Sequence, residues 1–519
     1  MTALLPLVVL VPLLAAGGVL IASRNPVAQR FVAIGSLAIV LVVSAALLVV
    51  VDADGTLVMH VGGWQAPFGI VLVVDRLSAL MLVVSAAVLL AVLVFAVGQG
   101  LTDGNDETPV SIFYPSYLVL AAGVFNAFLA GDLFNLYVGF EILLVASYVL
   151  ITLGGTELRI RAGVTYIVVS LLSSLLFLAA VTMLYAATGT VTIAELSVRI
   201  AELPQDVQIL LHVMLLVAFG IKAAVFPLSF WLPDSYPTAP APVTAVFAGL
   251  LTKVGVYAII RTETILFPTP ELNPALLVVA LLTLVVGILG AVAQTDLRRL
   301  LSFTLVSHIG YMILGVGLGT PEGTAAATFY IVHHIIVQTT LFLATGLIER
   351  EAGSTSLLHL GGLLKAAPVV GVLFFVPALN LAGIPPFSGF IGKLGLFEAS
   401  VQEGSPLAIV VVGAGALVSL LTLYALARAW NLAFWRPLDQ VRHTPEEPTE
   451  DFDDARWTGG TMTETRQRSP LMIASTTAMV VLSVALTVAA GPLYAISDRA
   501  GENLEGASYY TDSVLGGGR

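Results

Sequence analysis

Runs of about 20 apolar residues follow one another along most of this chain. A helix of that length crosses the ~30 Å hydrocarbon core of a bilayer. Only 11% of the residues are charged and the mean hydropathy is +0.99, whereas a soluble domain carries about 25% charged residues. No soluble fold could bury so much apolar surface, so the sequence predicts an all-α integral membrane protein.

The hydropathy pattern predicts about fourteen transmembrane helices. Their approximate bounds are 2–22, 31–51, 73–98, 111–130, 133–153, 163–187, 207–231, 240–260, 274–293, 300–319, 324–348, 367–400, 406–434 and 471–491. The predicted units are the N-terminal helices at 1–110, a five-helix repeat at 111–262, a second five-helix repeat at 263–435, a cytoplasmic polar loop at 436–470, and the last helix with a short tail at 471–519.

Basic residues predict the orientation of these spans, because cytoplasmic loops carry an excess of Lys and Arg. With the N-terminus outside, fourteen basic residues lie on the cytoplasmic side and five on the outer side. The outer five are Arg76, Arg199, Arg261, Arg499 and Arg519. This asymmetry predicts an even number of spans and both termini on the outer face.

Three of the four lysines lie inside predicted spans: Lys222 in span seven, Lys253 in span eight and Lys393 in span twelve. A lysine at the bilayer centre costs ~2.5–3.5 kcal/mol on insertion scales. Unlike arginine, a buried lysine can release its proton. The pattern predicts proton-carrying sites. The alternative is that these lysines snorkel, with the charged end of each side chain reaching water from a helix end. The positions of Lys222 and Lys393, well inside apolar stretches, argue against this alternative.

Glu141 is an isolated carboxylate within span five. A membrane carboxylate should be neutral or paired, and Lys222 is its natural partner because opposite charges lower the burial penalty of both. Asp132 begins the same helix, where a carboxylate complements the helix dipole, so it is interpreted as a structural residue. His212 lies near the entrance of span seven, and its position indicates no particular role.

Buried histidines form a second polar layer in spans ten and eleven. His308 lies in span ten, and Tyr330, His334 and Gln338 are spaced four apart on one face of span eleven, with His333 directed elsewhere. A histidine titrates near neutral pH and therefore suits a proton relay. The alternative is an ordinary polar contact between helices.

Prolines predict that two spans are interrupted. Pro227 follows Lys222 by five residues, and Pro385 and Pro386 precede Lys393. Proline lacks an N–H and breaks a helix, and in a membrane such irregular backbone is tolerated only where it is buried in protein or faces water. Spans seven and twelve are therefore predicted to be discontinuous.

The two interruptions fall in matching places of two halves. The interval along the chain from Lys222 to Lys393 is nearly the same as the interval from Glu141 to His308. Spans four to eight and nine to thirteen would form two five-helix units, inserted in opposite orientations because each has an odd number of helices. Inverted repeats with broken helices are typical of transporters and mark the transport site.

Taken together, these features resemble the antiporter-like subunits shared by respiratory complex I, membrane hydrogenases and Mrp-type multisubunit Na⁺/H⁺ antiporters. The shared markers are the Glu in span five, the Lys beside broken span seven, the Lys in span eight and the Lys in broken span twelve. The stretch at 125–155 is most similar to the Mrp branch. The resemblance implies a subunit in a bacterial plasma membrane that moves protons and Na⁺ or another monovalent cation.

The resemblance also implies roles and partners. Glu141 and Lys222 would form a switching ion pair, Lys253 the central relay, His308 and His334 the onward path, and Lys393 the terminal proton site. Gln338 stands where some relatives have a second basic residue, so passage there would depend on His334 and water. The implied partners are the A, B, C, E, F and G subunits of an Mrp-type complex. No cofactor, metal or nucleic acid is implied.

Two other functions remain open at this point. The chain could be a proton-pumping subunit of complex I or a membrane hydrogenase. Because it has no cysteine, it cannot hold an iron–sulfur cluster with Cys ligands, and redox centres would belong to its partners. It could instead be a non-conducting scaffold, in which case the buried charges would be dispensable.

Overall fold

The computed structural model describes residues 2–100, 112–441, 469–505 and 507–516. The helices are α1 (Leu7–Ile21), α2 (Pro26–Asp54), α3 (Arg76–Gln99), α4 (Phe113–Leu129), α5 (Leu133–Ile151), α6 (Glu157–Thr188), α7 (Ile193–Ile200), α8 (Gln205–Ala223), α9 (Leu232–Ser235), α10 (Ala241–Val246), α11 (Thr252–Arg261), α12 (Asn273–Ala293), α13 (Leu297–Gly317), α14 (Pro321–Ala352), α15 (Leu363–Ala366), α16 (Pro368–Ala382), α17 (Ser388–Glu403), α18 (Pro406–Trp430), α19 (Pro470–Val488), α20 (Ala490–Leu504) and α21 (Ser508–Leu515). Strands β1 (Leu57–His60) and β2 (Val71–Val74) pair antiparallel, with Leu57 opposite Val74.

Helices of membrane-spanning length account for most of the described chain. Twelve helical segments in the described ranges are long and apolar enough to cross a membrane, and α4 and α16 are shorter apolar helices. The all-α membrane architecture is confirmed, while the count of fourteen spans stays a prediction. Most of the polar loop predicted at 436–470 falls on residues 442–468, which lie outside the described residues.

Burial separates the helices into a core and a periphery. The segment Ala241–Leu266 and helix α14 are buried throughout their most apolar windows, whereas α1, α2 and α18 are mostly uncovered there. The peripheral helices expose large apolar side chains such as Leu14 and Val42, which hydrocarbon can cover. Lys253 and His334 therefore lie on the two most completely buried of these segments.

The two predicted interruptions are confirmed. Helix α8 ends at Ala223, one residue after Lys222, and Ala224 has a positive φ of 57°. Span twelve is divided into α16, which ends at Ala382, and α17, which begins at Ser388. Each half-helix therefore has an end within the bundle, where polar main-chain groups lack helical partners.

Span eight is continuous but not uniformly α-helical. Two stretches of it, Phe247–Leu251 and Thr262–Leu266, wind as π-helix. A π-helical turn bonds residue i to i+5 and often occurs at functional sites. No pattern in the sequence predicted this feature.

A matching pair of backbone clasps occurs in the two halves. One clasp is the isolated bridge between Asp132 and Thr192, and the other is the bridge between Asp296 and Ser356. The interval along the chain from Asp132 to Asp296 equals the interval from Thr192 to Ser356. Each clasp joins the loop before the second helix of its unit to the chain after the third helix.

The aspartates of the two clasps also cap helices. Asp132 accepts a hydrogen bond from the main-chain N–H of Asn135 at 2.6 Å, and Asp296 accepts one from Arg299 at 2.9 Å. The interpretation of Asp132 as a structural helix-start residue is thus confirmed. When the two units are aligned by their clasps, Glu141 of the first unit corresponds to Leu305 of the second. The match of Glu141 with His308 that the sequence pattern indicated was therefore only approximate.

Both ends of the described chain lie on one face of the bundle, here called the terminal face. The turn Thr2–Leu4 and helix α21 both pack against β1, and the main-chain N–H of Thr56 donates to the Tyr509 hydroxyl at 3.4 Å. The first clasp is on this face, because Gly131 N–H donates to Val71 O of β2 at 2.8 Å.

The second clasp lies on the opposite face. Helix α13 begins beside this clasp, and its far end leads into the start of α14, where Gly501 of α20 packs against the main chain of Pro321. The clasps therefore lie at opposite ends of the bundle, as inverted units require. The boundaries of those units, 111–262 and 263–435, remain predictions.

The short tail predicted after the last span contains helices α20 and α21, and Arg499 of α20 pairs with Asp52 at 2.8 Å. One prediction about the terminal face needs correction. Arg261, counted as an outer-loop residue, is buried at the end of α11. Its guanidinium binds Asp75, with one N–O distance of 2.7 Å. A buried carboxylate explains how an arginine is accommodated there.

Candidate functional site

Lys222 lies at the inner end of α8, beside the first helix interruption. Its Nζ donates to Ser174 Oγ at 3.2 Å and lies 4.7 Å from the centre of the Phe140 ring. A cavity of about 20 Å³, large enough for a water molecule, adjoins it and is lined by residues that include Tyr166, Ser170, Ser173, Trp231 and Tyr236. The lysine is therefore held by a hydroxyl and an aromatic face beside space for water.

Glu141 follows Phe140 on α5 and is partly exposed at the surface of the chain. Its Oε1 atom is buried without a hydrogen-bond partner. The ion pair with Lys222 that the family resemblance implied is not formed here, since the lysine binds Ser174. The two groups still interact electrostatically.

Lys253 is fully buried one residue after the start of α11. Its Nζ donates to the carbonyl oxygen of Ala248 at 2.6 Å, and Ala248 belongs to the π-helical stretch before it. Gly255 lets this helix approach the end of α8 closely, since a Cβ there would lie 2.6 Å from Ala223 N. Span eight thus packs its lysine-bearing segment directly against the interruption beside Lys222.

His308 and His334 form the next layer, as the sequence predicted they could. His308 Nδ1 is 2.8 Å from the Tyr330 hydroxyl, and its Nε2 is 3.5 Å from Thr422 Oγ1. The rings of His308 and His334 have centroids 5.4 Å apart. Both ring nitrogens of His334 are buried without a partner among the described residues. Buried polar atoms are nearly always satisfied, so His334 requires water or a transferable proton.

Lys393 lies on α17 just after the second interruption. Its Nζ donates to the carbonyl oxygens of Leu381 at 3.1 Å and Ala382 at 3.0 Å, at the end of α16. It also lies 5.0 Å from the centre of the Tyr311 ring. Carbonyls at a helix C-terminus lack intrahelical partners and favour a cation, so the interruption itself provides the lysine's binding site.

His333, which helical spacing predicted to point elsewhere, belongs to this site. Its Nδ1 is 3.0 Å from Ser388 Oγ, the first residue of α17. Ser388 Oγ in turn lies 3.3 Å from Asn380 Oδ1 on α16, and Asn380 Oδ1 also accepts from Gly389 N–H at 2.9 Å. His333 therefore links α14 to both halves of span twelve. Helical spacing alone could not identify it, because its partner Ser388 lies far away in sequence on another helix.

The three buried lysines share one property. Each ammonium group donates only to neutral oxygen atoms, a hydroxyl at Lys222 and main-chain carbonyls at Lys253 and Lys393. Within the described part of the chain, none forms an ion pair with a carboxylate. Neutral acceptors oppose the deprotonation of an ammonium group less than a paired carboxylate would. The arrangement therefore suits groups that gain and lose protons.

The six candidate site residues named from the sequence all lie in one region of the chain that matches a known family: Glu141, Lys222, Lys253, His308, His334 and Lys393. The family described as NADH:quinone oxidoreductase/Mrp antiporter, TM, matches residues 130–419. The chain belongs to this family. The matched region includes both clasps and both interruptions, so the NADH:quinone oxidoreductase/Mrp antiporter family covers the whole candidate site.

Individual family members are similar over most of their length. A relative from Alkalihalophilus pseudofirmus, named as the D subunit of a Na⁺/H⁺ antiporter, is 39% identical over 519 residues, which is 99% of this chain and 100% of that protein. A protein of the same name from Bacillus subtilis is 38% identical over 442 residues, 84% of this chain and 87% of that one.

Solved structures show the same fold. A chain from the structure of the Mrp complex from Dietzia sp. is 34% identical, with a TM-score of 0.88 over 99% of this chain and 100% of that chain. A chain of respiratory complex I from Thermus thermophilus is 23% identical, with a TM-score of 0.78 over 97% of this chain and 100% of that chain. The second likeness concerns the fold alone.

Proposed function

We propose that this chain is a proton- and cation-translocating subunit of a multisubunit Na⁺/H⁺ antiporter in a bacterial plasma membrane, with both termini on the outer face. Support comes from the two relatives named as Na⁺/H⁺ antiporter subunits and from the likeness to a chain of the Mrp complex. The subunits it would assemble with are the Mrp-type A, B, C, E, F and G proteins.

The observation that carries this proposal is the way the buried lysines are held. Lys222, Lys253 and Lys393 each lie at an interruption or a π-helical turn and donate to neutral oxygens. A scaffold would gain nothing from three ammonium groups without counter-ions, each of which costs free energy in a membrane. A proton path needs such groups, because arginine would keep its proton.

In the proposed mechanism, Lys222 alternates between Ser174 and the carboxylate of Glu141. Pairing with Glu141 favours the protonated lysine, and return to Ser174 favours release of the proton toward Lys253. Gly255 brings span eight against the main chain beside Lys222, and water in the cavity that Lys222 lines is the proposed proton carrier.

From Lys253 the proposed path continues through His334 and His308 to Lys393. His334 lies within electrostatic range of both lysines and of His308. Its two unpartnered ring nitrogens can accept a proton from one side and donate one to the other. Lys393, held by the carbonyls of α16, is the proposed terminal site.

The test is antiport in membrane vesicles that contain this chain together with its six proposed partner subunits. Na⁺-driven collapse of a pH gradient would be measured for Lys222→Ala, Lys253→Ala and Lys393→Ala. We expect each variant to lose transport while the partner subunits still co-purify. Lys365→Ala is the matched control, because Lys365 is the one lysine outside the predicted spans and its side chain is exposed.

The same experiment discriminates the alternatives. Wild-type transport in all three lysine variants would leave only the scaffold function. Transport that requires an added electron donor, such as NADH, would favour a redox-driven complex instead of a secondary antiporter.

A further inference from the structure

A second buried acid–base pair lies near the terminal face, outside the site described above. His212 Nε2 is 2.6 Å from Glu263 Oε1, and both side chains are almost completely buried. The imidazole stacks on Phe267 with ring centroids 4.4 Å apart and an interplanar angle of 3°. The ring is therefore fixed in orientation, with one nitrogen committed to the carboxylate.

The pair lies at the bottom of a small polar cleft. The cleft is lined by Gln205, Gln208, Ile209, His212, Phe267, Thr269 and Glu271. At its exposed rim, Gln205 Nε2 lies 3.3 Å from Glu271 Oε1. The cleft therefore joins side chains that water can reach to the buried imidazole of His212.

The pair is aligned with the two lysines deeper in the bundle. His212 and Lys222 are both on α8, and Glu263 and Lys253 are both on the helical segment Ala241–Leu266. Each pair of residues is separated by ten positions, which is about 15 Å along a helix. The His212–Glu263 pair therefore lies between the polar cleft and the layer that holds Lys222 and Lys253.

The other charged groups near this pair already have partners or lie at the rim. Arg261 pairs with Asp75, and Arg199 of the adjacent helix α7 pairs with Glu195 at 3.4 Å. Asp206 of α8 and Glu271 lie on the side of the cleft opening. In the described ranges, His212 is the one basic side chain that forms an ion pair with Glu263.

We propose that His212 and Glu263 form a proton port, which exchanges protons between water at the terminal face and the layer of Lys222 and Lys253. A proton from water binds the free ring nitrogen of His212, and the other ring nitrogen passes its proton to the Glu263 carboxylate. The carboxylic acid then gives that proton inward through water. His212 now carries its proton on the nitrogen that faces the cleft, and its return to the starting tautomer, with the proton on the nitrogen that faces Glu263, completes the cycle. This inference rests on the proposed function and adds its access route on one face.

The test separates proton transfer from packing by two substitutions at one position. Glu263→Gln keeps the size of the side chain and a hydrogen bond to His212 but cannot titrate, whereas Glu263→Asp keeps the acid. We expect Glu263→Gln to lower antiport by about tenfold or more, as removal of a positioned proton-transfer group does. We also expect it to flatten the dependence of the rate on the pH at the terminal face. Glu263→Asp should retain the wild-type profile, and Glu202→Gln, at an exposed glutamate just before α8, is the matched control.

His212→Gln provides an independent second variant and should reproduce the flattened profile. Co-purification of the partner subunits reports assembly for every variant. A wild-type rate and pH profile in Glu263→Gln would overturn the port, and so would equal losses in Glu263→Gln and Glu263→Asp, because packing would then explain the effect. Lys222→Ala is measured in parallel: if it is inactive while Glu263→Gln behaves as wild type, the port fails and the proposed function stands. Full activity of Lys222→Ala would count against the proposed function itself.

Discussion

The ammonium group of Lys393 donates to the carbonyl oxygen of Ala382 at 3.0 Å, across the gap between α17 and α16. The lysine lies after its interruption in sequence, and its side chain reaches back to the helix end before it. Lys222 instead lies before its interruption and binds a hydroxyl from α6. The two lysines that match in the sequence pattern therefore use different ligands, so we expect their variants to respond differently to conservative substitution.

The first prediction concerns Lys222→Arg. An arginine at this position could still pair with Glu141, but it would not release a proton because its pKa is above ~12 in proteins. We expect assembled complex with little or no ΔpH-driven antiport in vesicles. Near-normal transport would mean that Lys222 acts only as a fixed charge, and the switching pair would have to be abandoned.

The second prediction concerns the contact between span eight and the end of α8. A methyl group at Gly255 would lie 2.6 Å from Ala223 N, a main-chain atom that cannot rotate away. Gly255→Ala should destabilise the protein by about 1–3 kcal/mol, as overpacking does, and lower its melting temperature in detergent. Gly413→Ala is the control, since no atom lies within 4 Å of the added methyl group. Equal melting temperatures for both variants would contradict the close packing of these two spans.

The third prediction compares a buried ion pair with an exposed one. Asp75→Ala would leave the Arg261 guanidinium buried without its carboxylate, which should cost about 3–5 kcal/mol. Asp234→Ala removes the partner of Arg299 at the surface, where such pairs contribute about 0–1 kcal/mol. Thermal unfolding of the two variants in detergent measures the difference. A stability loss no larger in Asp75→Ala than in Asp234→Ala would show that the buried pair is not required.

The fourth prediction concerns topology. The chain has no cysteine, so single cysteines report their own accessibility to a membrane-impermeant reagent. Asp512→Cys on α21 should react from outside intact cells, whereas Glu450→Cys, in the loop predicted at 436–470, should react only after permeabilisation. The reverse pattern would invert the proposed orientation and place the terminal face in the cytoplasm.

Local rules explain what the sequence could predict about this protein. Pro227 and the pair at 385 and 386 lack a main-chain donor and disfavour a helix, so the two interruptions were predictable, although α1 and α16 continue through Pro12 and Pro377. The cost of burying Lys222 and Lys393 likewise depends only on their position within apolar runs. These inferences needed no knowledge of which helices are neighbours.

The remaining features depend on contacts between distant segments. His333 joins Ser388, and His212 joins Glu263, through pairings that no spacing within one helix predicts. Arg261 was assigned to a loop because its carboxylate partner, Asp75, lies far away in sequence. The pairing of Glu141 with Lys222 was inferred from their opposite charges, but the lysine binds Ser174, a partner on another helix that the charge argument could not identify.

The π-helical stretch Phe247–Leu251 limits how span eight can change during evolution. A π-helical turn contains about one residue more than an α-helical turn, so deleting one residue there with a return to α winding would leave the two flanking segments in nearly the same relative orientation. Deleting a residue elsewhere in span eight would instead rotate everything after it by about 100° relative to everything before it. The segment before the stretch is anchored to α14, and the segment after it is anchored by Arg261 to Asp75. A deletion outside the π-helical stretch would therefore break one of the two anchors, so this stretch is the place where span eight can gain or lose one residue and still keep both contacts.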